Sequence, residues 1–251
     1  MDKKGFDFVR IIKCLDELCE LIMNLHSFKV ENDKTILIRE FVQKSNSLLK
    51  AQSLLLVNFQ VAECAILYRT HLERYIYLLE IVERNEYSDF TKWSDSKQIK
   101  LLEKMISEQR KNDISIPALK VKNLNKKIDK HPKWDAFKIE NYFKSFNLKN
   151  AYIQHFDMAS SFVHTRVNQD NNTILKIKET SDFYKINPWI LIECAIQLHM
   201  EILLISLSEC YNDIHSLIEF FFTQVERYIA GEIDFNSFES KYKSIIMHLN
   251  L

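Results

Sequence analysis

The sequence predicts an all-α protein, a multi-helix bundle in a single domain. Apolar residues recur at helical spacing through nearly the whole chain, and its 251 residues include only two glycines and three prolines. Gly-rich turns are frequent in β-hairpins, and Gly-rich loops approach phosphates closely, so this scarcity argues against β-sandwiches, P-loops, dinucleotide-binding folds and the Gly-x-Ser-x-Gly nucleophile elbow. Apolar residues make up 47% of the chain and charged residues 27%, which is typical of a globular protein with a substantial core.

The predicted elements follow from apolar periodicity and from cap residues. Asp33 and Asp213 are the predicted N-caps, Pro188 is the predicted first residue of a helix, and Gly231 is a predicted helix stop. The segment 173–186 lacks helical spacing and is the one candidate for a short two-stranded ribbon. Helices are predicted at about 6–28, 34–50, 52–85, 95–111, 117–130, 134–147, 149–166, 188–211, 213–230 and 235–249.

Charge is balanced over the chain but not along it. Lys and Arg together number 34, as do Asp and Glu, so no net field favours nucleic acid or an acidic membrane. Residues 92–149 nevertheless hold 15 basic and 7 acidic residues. The region 92–150 is therefore predicted to be a basic helical subdomain or lid within the single domain 1–251.

Two further features favour a cytoplasmic protein. The first ten residues are charged and contain no apolar signal region, and the five cysteines are an odd number that suits reduced, buried thiols. The apolar stretches 53–67 and 189–207 carry polar and charged side chains along their length. Both are therefore expected to be buried helices and not membrane spans.

Arg69 and Glu73 carry the sharpest prediction. At 100° per residue they share one stripe of the predicted helix 52–85 with apolar residues, roughly opposite a polar stripe that includes His71 and is predicted to face solvent. Because burying a single charge is costly, we expect Arg69 and Glu73 to face the interior and to pair with each other. The pair is either a structural ion pair that fixes the helix register or part of a polar pocket.

A second polar cluster lies on the predicted helix 149–166. Asp157, Ser160, Ser161 and His164 fall on one side of it, while the other flank is apolar and is expected to face the core. This stripe is either the solvated face of an amphipathic helix or the wall of a cleft, since His164 ends the helix just before an irregular segment.

Glu193, Gln197 and Glu201 form a third polar stripe within the most apolar predicted helix. Carboxylates in such a helix need donors, so Glu193 or Gln197 is expected near Arg69. No metal and no cofactor is expected, because the sequence lacks Glu-x-x-His pairs, the His-Glu-x-x-His motif and paired cysteine motifs.

Arg69-x-x-x-Glu73 in a long apolar helix, followed by Ser160-x-x-x-His164, resembles the pattern of a family of bacterial all-helical proteins known only as a domain of unknown function. The resemblance covers roughly residues 50–210. That family is similar in architecture to the HEPN superfamily, which includes RNase toxins and phage-defence effectors. The resemblance implies a defence or toxin-like context, although no arginine of this chain has the His four to six residues later that marks HEPN nucleases.

The first functional hypothesis is an RNA-directed effector, a metal-independent ribonuclease in which a histidine moves protons and a cation stabilises the phosphorane. The basic region would hold the strand through phosphate contacts and aromatic stacking. The candidate catalytic residues of this ribonuclease are Arg69, Glu73 and His164. The candidate substrate-binding residues are Ser160, Ser161, Lys126, Lys127 and Lys130.

Two alternatives stay open. One is a non-catalytic helical module that binds a protein partner or a second copy of itself, since the apolar run 218–222, with Tyr228, Phe235 and Phe238, suits a partner as well as a core. The other is a small-molecule sensor in which Arg69 holds a carboxylate or a phosphate.

Overall fold

The computed structural model describes residues 3–24, 32–111, 189–210 and 214–249. Within these ranges there are helices and no strand, which confirms the all-α prediction. The candidate ribbon at 173–186 and the helices predicted between 117 and 166 lie outside the described residues. The helices are α1 (Lys3–Met23), α2 (Asp33–Val57), α3 (Val61–Arg84), α4 (Tyr87–Lys111), α5 (Trp189–Cys210), α6 (His215–Ile229) and α7 (Phe235–Leu249).

The chain divides into two compact units. The first comprises Met1–Leu79 and Ile139–Leu251, and the second comprises Glu80–Lys138. In the first unit α5 packs most extensively on α2, α1 lies against α2, α5 and α7, and α6 contacts both α5 and α7. In the second unit the described residues are the last turn of α3 and all of α4, where the Phe90 and Trp93 rings lie 5.5 Å apart.

The apolar helix α5 lies in the core of the first unit. Leu191, Ile192, Ala195 and Ile196 are each 2% exposed or less, because apolar residues surround nearly the whole helix. Within the described part of the chain, Trp189–Glu209 is the one segment long and apolar enough to cross a membrane by length and composition. Packing buries 61% of that segment's most apolar window, as in the core helix of a bundle.

The aromatic run near the carboxyl end forms a core. Phe221 and Phe238 have no exposed surface, and Phe222 and Phe235 are buried beside them. Phe220, at 45% exposure, points away from this cluster. Most of the aromatic residues that the sequence assigned to either a partner or a core, Phe221, Phe222, Phe235 and Phe238, are therefore core residues.

Helices α1 and α7 run parallel and are joined by polar side chains. Arg10 pairs with Glu239 at 3.0 Å near the start of both helices, and its guanidinium lies 3.8 Å from the centre of the Phe235 ring. Further along, the Tyr242 hydroxyl donates to Glu17 Oε2 at 2.6 Å. Beyond that bond lies an open cleft of about 290 Å³, lined by Glu17, Glu20, Leu21, Asn24, Tyr242 and Ile246.

Three helices end with the same backbone device. In each, a residue with positive φ follows the helix, and the next amide donates to a carbonyl five residues back: Gln60 to Leu55, Glu86 to Ile81 and Glu232 to Arg227. The positive-φ residues are Phe59 (57°), Asn85 (54°) and Gly231 (76°). Gly231 confirms the predicted stop, whereas Phe59 marks a break that the sequence does not signal.

The helix boundary predicted between residues 50 and 52 is wrong. Helix α2 continues to Val57, and the chain turns through residues 58–60 before α3 begins at Val61. The turn contains no Gly or Pro that would mark it in the sequence. Phe59 adopts the left-handed conformation that usually selects Gly.

Two predicted N-caps also differ from the structure. Asn32, and not Asp33, caps α2, since its Oδ1 accepts from the Thr35 amide at 2.9 Å. The N-cap of α6 is Ile214, which makes no side-chain cap bond, while the predicted cap Asp213 lies outside the described residues.

We expect Phe59→Gly to stabilise the protein by up to about 1 kcal/mol, because Gly removes the cost of a left-handed conformation at a side chain that is 78% exposed. The matched control is Phe220→Gly on α6, where Gly in a helix interior should destabilise by about 0.5 kcal/mol. Urea unfolding of both variants measures the two effects. If both variants change the free energy of unfolding in the same direction, the backbone at Phe59 is not strained.

Candidate functional site

A serine shared by two histidines lies at the centre of the first unit. The Ser45 hydroxyl of α2 is 2.6 Å from His71 Nε2 of α3 and 2.8 Å from His199 Nδ1 of α5. All three side chains have no exposed surface. One hydroxyl therefore joins three helices through two hydrogen bonds.

Gln52 sets the direction of these hydrogen bonds. Its Oε1 lies 3.3 Å from His71 Nδ1, and an amide oxygen can only accept, so Nδ1 of His71 carries the proton. The other nitrogen of neutral His71 then accepts from the Ser45 hydroxyl. Ser45 Oγ in turn accepts from Nδ1–H of His199, so the bonds run in one direction from His199 to Gln52.

The polar cluster ends in two buried atoms that lack partners. Among the described residues, neither His199 Nε2 nor Gln52 Nε2 has a hydrogen-bond partner. In the tautomer set by Gln52, His199 Nε2 presents a lone pair. A buried polar atom without a partner costs about 1–3 kcal/mol, so the cluster joins the helices at some expense in stability.

Burial keeps both imidazoles neutral. Desolvation lowers the pKa of His71 to about 3, and the charges of His199 and Arg74 lower it in the same direction. Desolvation also lowers the pKa of His199 to about 3, against the opposing influence of Asp16. A protonated imidazole at either position would be a buried cation, which is why the neutral form is held.

A second polar group adjoins the cluster on the α1 side. Asp16 accepts from Asn46 at 2.6 Å and from Lys50 at 2.9 Å, and these two bonds lower the pKa of its carboxyl group although desolvation raises it. Asn46 and Lys50 of α2 thus stabilise the ionised form of Asp16, and its negative charge acts to raise the pKa of His199.

Arg69 and Glu73 are paired, as predicted. Arg69 Nη2 lies 3.1 Å from Glu73 Oε1, and the two side chains are 21% and 28% exposed. They are thus partly reachable by solvent and not sealed in the core. Their spacing of four along α3 brings the two groups together.

The prediction that His71 faces solvent is wrong. It has no exposed surface, because the surrounding helices supply hydrogen bonds that a helical wheel cannot anticipate. The predicted stripe on α5 is wrong in part: Gln197 and Glu201 are exposed, whereas His199 and Ser206 are polar residues of α5 that are fully buried. The polar centre of the unit is therefore serine and histidine.

The other predicted site residues lie outside the described residues. They are His164, Ser160, Ser161, Lys126, Lys127 and Lys130. Their roles stay predictions.

The described groups suit only part of the chemistry that a catalytic site needs. Ser45, His71 and Gln52 have the order of a nucleophile, a base and an orienting group, but complete burial excludes a substrate in this conformation. Burial raises the pKa of the thiols of Cys19 and Cys64 to about 12, which makes them poor nucleophiles. No group of three or more metal-ligating side chains occurs among the residues with described positions.

Residues 35–176 match the model of a family of unknown function, DUF5677, and this stretch is more than half of the sequence. The chain belongs to this family. The DUF5677 stretch contains Ser45, His71, Arg69 and Glu73, whereas His199 follows it. No curated protein and no solved structure matches the chain. The expected membership of a family of unknown function is confirmed, over a stretch that begins and ends earlier than residues 50–210.

Sequence reasoning missed the Ser45 cluster for an identifiable reason. Ser45 and His199 are 154 residues apart, and no local spacing links them. The available signal was a histidine within the most apolar helix of the chain, where a polar side chain needs a buried partner. His199 satisfied that condition, but the sequence does not name its partner.

We expect Ser45→Ala to lower the free energy of unfolding by about 2–4 kcal/mol, because it leaves nitrogens of His71 and His199 buried without partners. Ser47→Ala is the matched control on the same helix. Its hydroxyl is exposed and bonds to the Gln43 carbonyl of its own helix, so a change below about 0.5 kcal/mol is expected. Chemical denaturation measures both, and equal losses would contradict a central role for Ser45.

Proposed function

We propose that this chain is an RNA-directed helical effector of a bacterial defence or toxin system, with a HEPN-like architecture. The observation that carries the proposal is the Arg69–Glu73 pair, which is partly exposed and lies inside the DUF5677 stretch. A paired arginine at a partly exposed position is a suitable anion-binding group, since its fork donates several hydrogen bonds.

The proposed chemistry is metal-independent RNA cleavage. Arg69 stabilises the negative charge that develops on the phosphorane, and Glu73 orients the guanidinium. The 2′-hydroxyl attacks the adjacent phosphorus as His164 takes its proton, and His164 returns the proton to the departing 5′-oxygen, which leaves a 2′,3′-cyclic phosphate and a free 5′-hydroxyl. Ser160 and Ser161 lie near the bound strand in this proposal. Lys126, Lys127 and Lys130 contact phosphates on either side of the cleaved bond, and the proposed site of action is the cytoplasm.

Two observations support the alternative, a non-catalytic helical module that binds a protein or another copy of itself. The Ser45 cluster is sealed from substrate, and the α2–α3 corner exposes two large apolar side chains, Leu54 at 66% and Phe59 at 78%. Exposed apolar side chains at one corner suit contact with a partner. This alternative becomes the better one if no activity is found.

The first test replaces Arg69 with Ala and measures RNA degradation and growth arrest on expression. Removal of a group that stabilises transition-state charge should reduce the rate about 100- to 1000-fold. The control is Arg84→Ala, which breaks the 2.8 Å ion pair between Arg84 and Glu80. This pair lies on the same helix and has the same i,i+4 spacing as Arg69 and Glu73. Neither guanidinium is fully buried, with side-chain exposures of 21% for Arg69 and 49% for Arg84, so both variants should remain folded by circular dichroism.

Three outcomes are distinguishable. Loss of activity in Arg69→Ala and in His164→Ala, with activity kept in Arg84→Ala, is the expected result. Full activity in Arg69→Ala contradicts the role of the pair. Absence of any activity in the unmodified protein contradicts the effector and favours the module.

The second test concerns the basic residues. Charge reversal at Lys126, Lys127 and Lys130 should weaken RNA binding and reduce the slope of log affinity against log salt by about 2–3, since each lost phosphate contact releases one fewer counterion. The matched control is reversal of Lys241 and Lys243, which lie exposed on α7. Equal effects of the two sets would indicate non-specific attraction, and no retention of RNA at low salt would exclude this partner.

A further inference from the structure

The hydrogen bonds of the Ser45 cluster can be satisfied only when both imidazoles are neutral. In the neutral state the Ser45 hydroxyl donates to His71 and accepts from His199, so every nitrogen that faces Ser45 has a partner. A proton added at His71 Nε2 leaves two donors facing one oxygen. The Ser45 oxygen can accept from both rings, but the Ser45 hydrogen then faces no acceptor in the cluster. It can bond to His199 Nδ1 only if the proton of that ring moves to Nε2, a nitrogen without a partner among the described residues.

No group in the described part of the chain compensates such a charge. Among the described residues, neither imidazole has a carboxylate within hydrogen-bond distance. From α1 the Asp16 charge acts on His199, but Asp16 is already bound by Asn46 and Lys50 of α2. From α3 the Arg74 charge opposes a second positive charge at His71. The two rings are also neighbours, with centroids 6.5 Å apart, so each disfavours protonation of the other.

We propose that Ser45, His71 and His199 form an acid-operated latch: protonation of the imidazoles is compatible only with an opened arrangement in which α3 separates locally from α2 and α5. The device is built from one hydroxyl that joins three helices. It responds to acid because opening lets water reach both rings, and it does not depend on the proposed effector activity.

The direction of the effect follows from linkage. Above pH 6.5 the rings are neutral in both the closed and the opened state, so closing is favoured in full. Below that pH the opened state takes up protons and the closed state does not, because burial holds the pKa of each ring near 3. The equilibrium constant for opening should therefore rise about 10-fold per pH unit for each histidine released, and about 100-fold for two.

The experiment follows opening by amide hydrogen exchange between pH 7.5 and 4.5 on the unmodified full chain. Protection of amides around Ser45, His71 and His199 should fall by up to about 100-fold per pH unit below 6.5, after correction for the intrinsic exchange rate. Amides of α6 and α7 should lose protection later. Uniform loss along the chain would overturn a local latch.

Variants assign the protons. His71→Gln and His199→Gln keep hydrogen-bonding groups but cannot take up a proton in this range, so each should reduce the pH dependence of opening by about 10-fold per unit. His248→Gln is the control, because this exposed ring bonds to the Ser244 carbonyl of its own helix and should change nothing. If both Gln variants keep the unmodified slope, the latch is wrong. If they fail to fold, the exchange profile of the unmodified chain still decides.

Discussion

The shared hydroxyl of Ser45 is the constraint on which the first unit depends. Apolar packing alone lets neighbouring helices slide or rotate by small amounts, since many arrangements bury similar area. A buried hydroxyl between two imidazoles tolerates few arrangements, because each donor must meet an acceptor within a few tenths of an ångström. The cluster thus fixes α2, α3 and α5 relative to one another, and the surrounding apolar residues supply the bulk of the stability.

This constraint also explains how the DUF5677 stretch relates to the rest of the chain. The match contains α2 and α3 in full apart from the first two residues of α2, but it ends before α5. Helix α5 nevertheless packs most extensively on α2 and supplies His199. The polar centre of the unit is completed by a helix beyond the matched stretch, so the two segments form one core.

The sequence predicted local features better than distant ones. The all-α class follows from periodicity and the scarcity of Gly, and the Arg69–Glu73 pair follows from spacing on a single helix. The Gly231 stop was predicted because Gly is the usual residue at positive φ, whereas Phe59 in the same conformation was not. The prediction for His71 is wrong because a helical wheel assigns polar residues to solvent. The buried partners of His71 are 19 and 26 positions away in the sequence, and both lie on α2.

The parallel course of α1 and α7 separates two points of the chain that lie near its ends. Arg10 meets Glu239 and, further along both helices, Glu17 meets Tyr242, so residue 3 and residue 249 lie at opposite ends of the helix pair. At 1.5 Å per residue, the seven residues from Lys3 to Arg10 and the ten from Glu239 to Leu249 put these two positions roughly 25 Å apart along the helix pair. A label or fused domain attached at each would therefore report on opposite ends of this helix pair, and joining them directly would require a linker that spans this length.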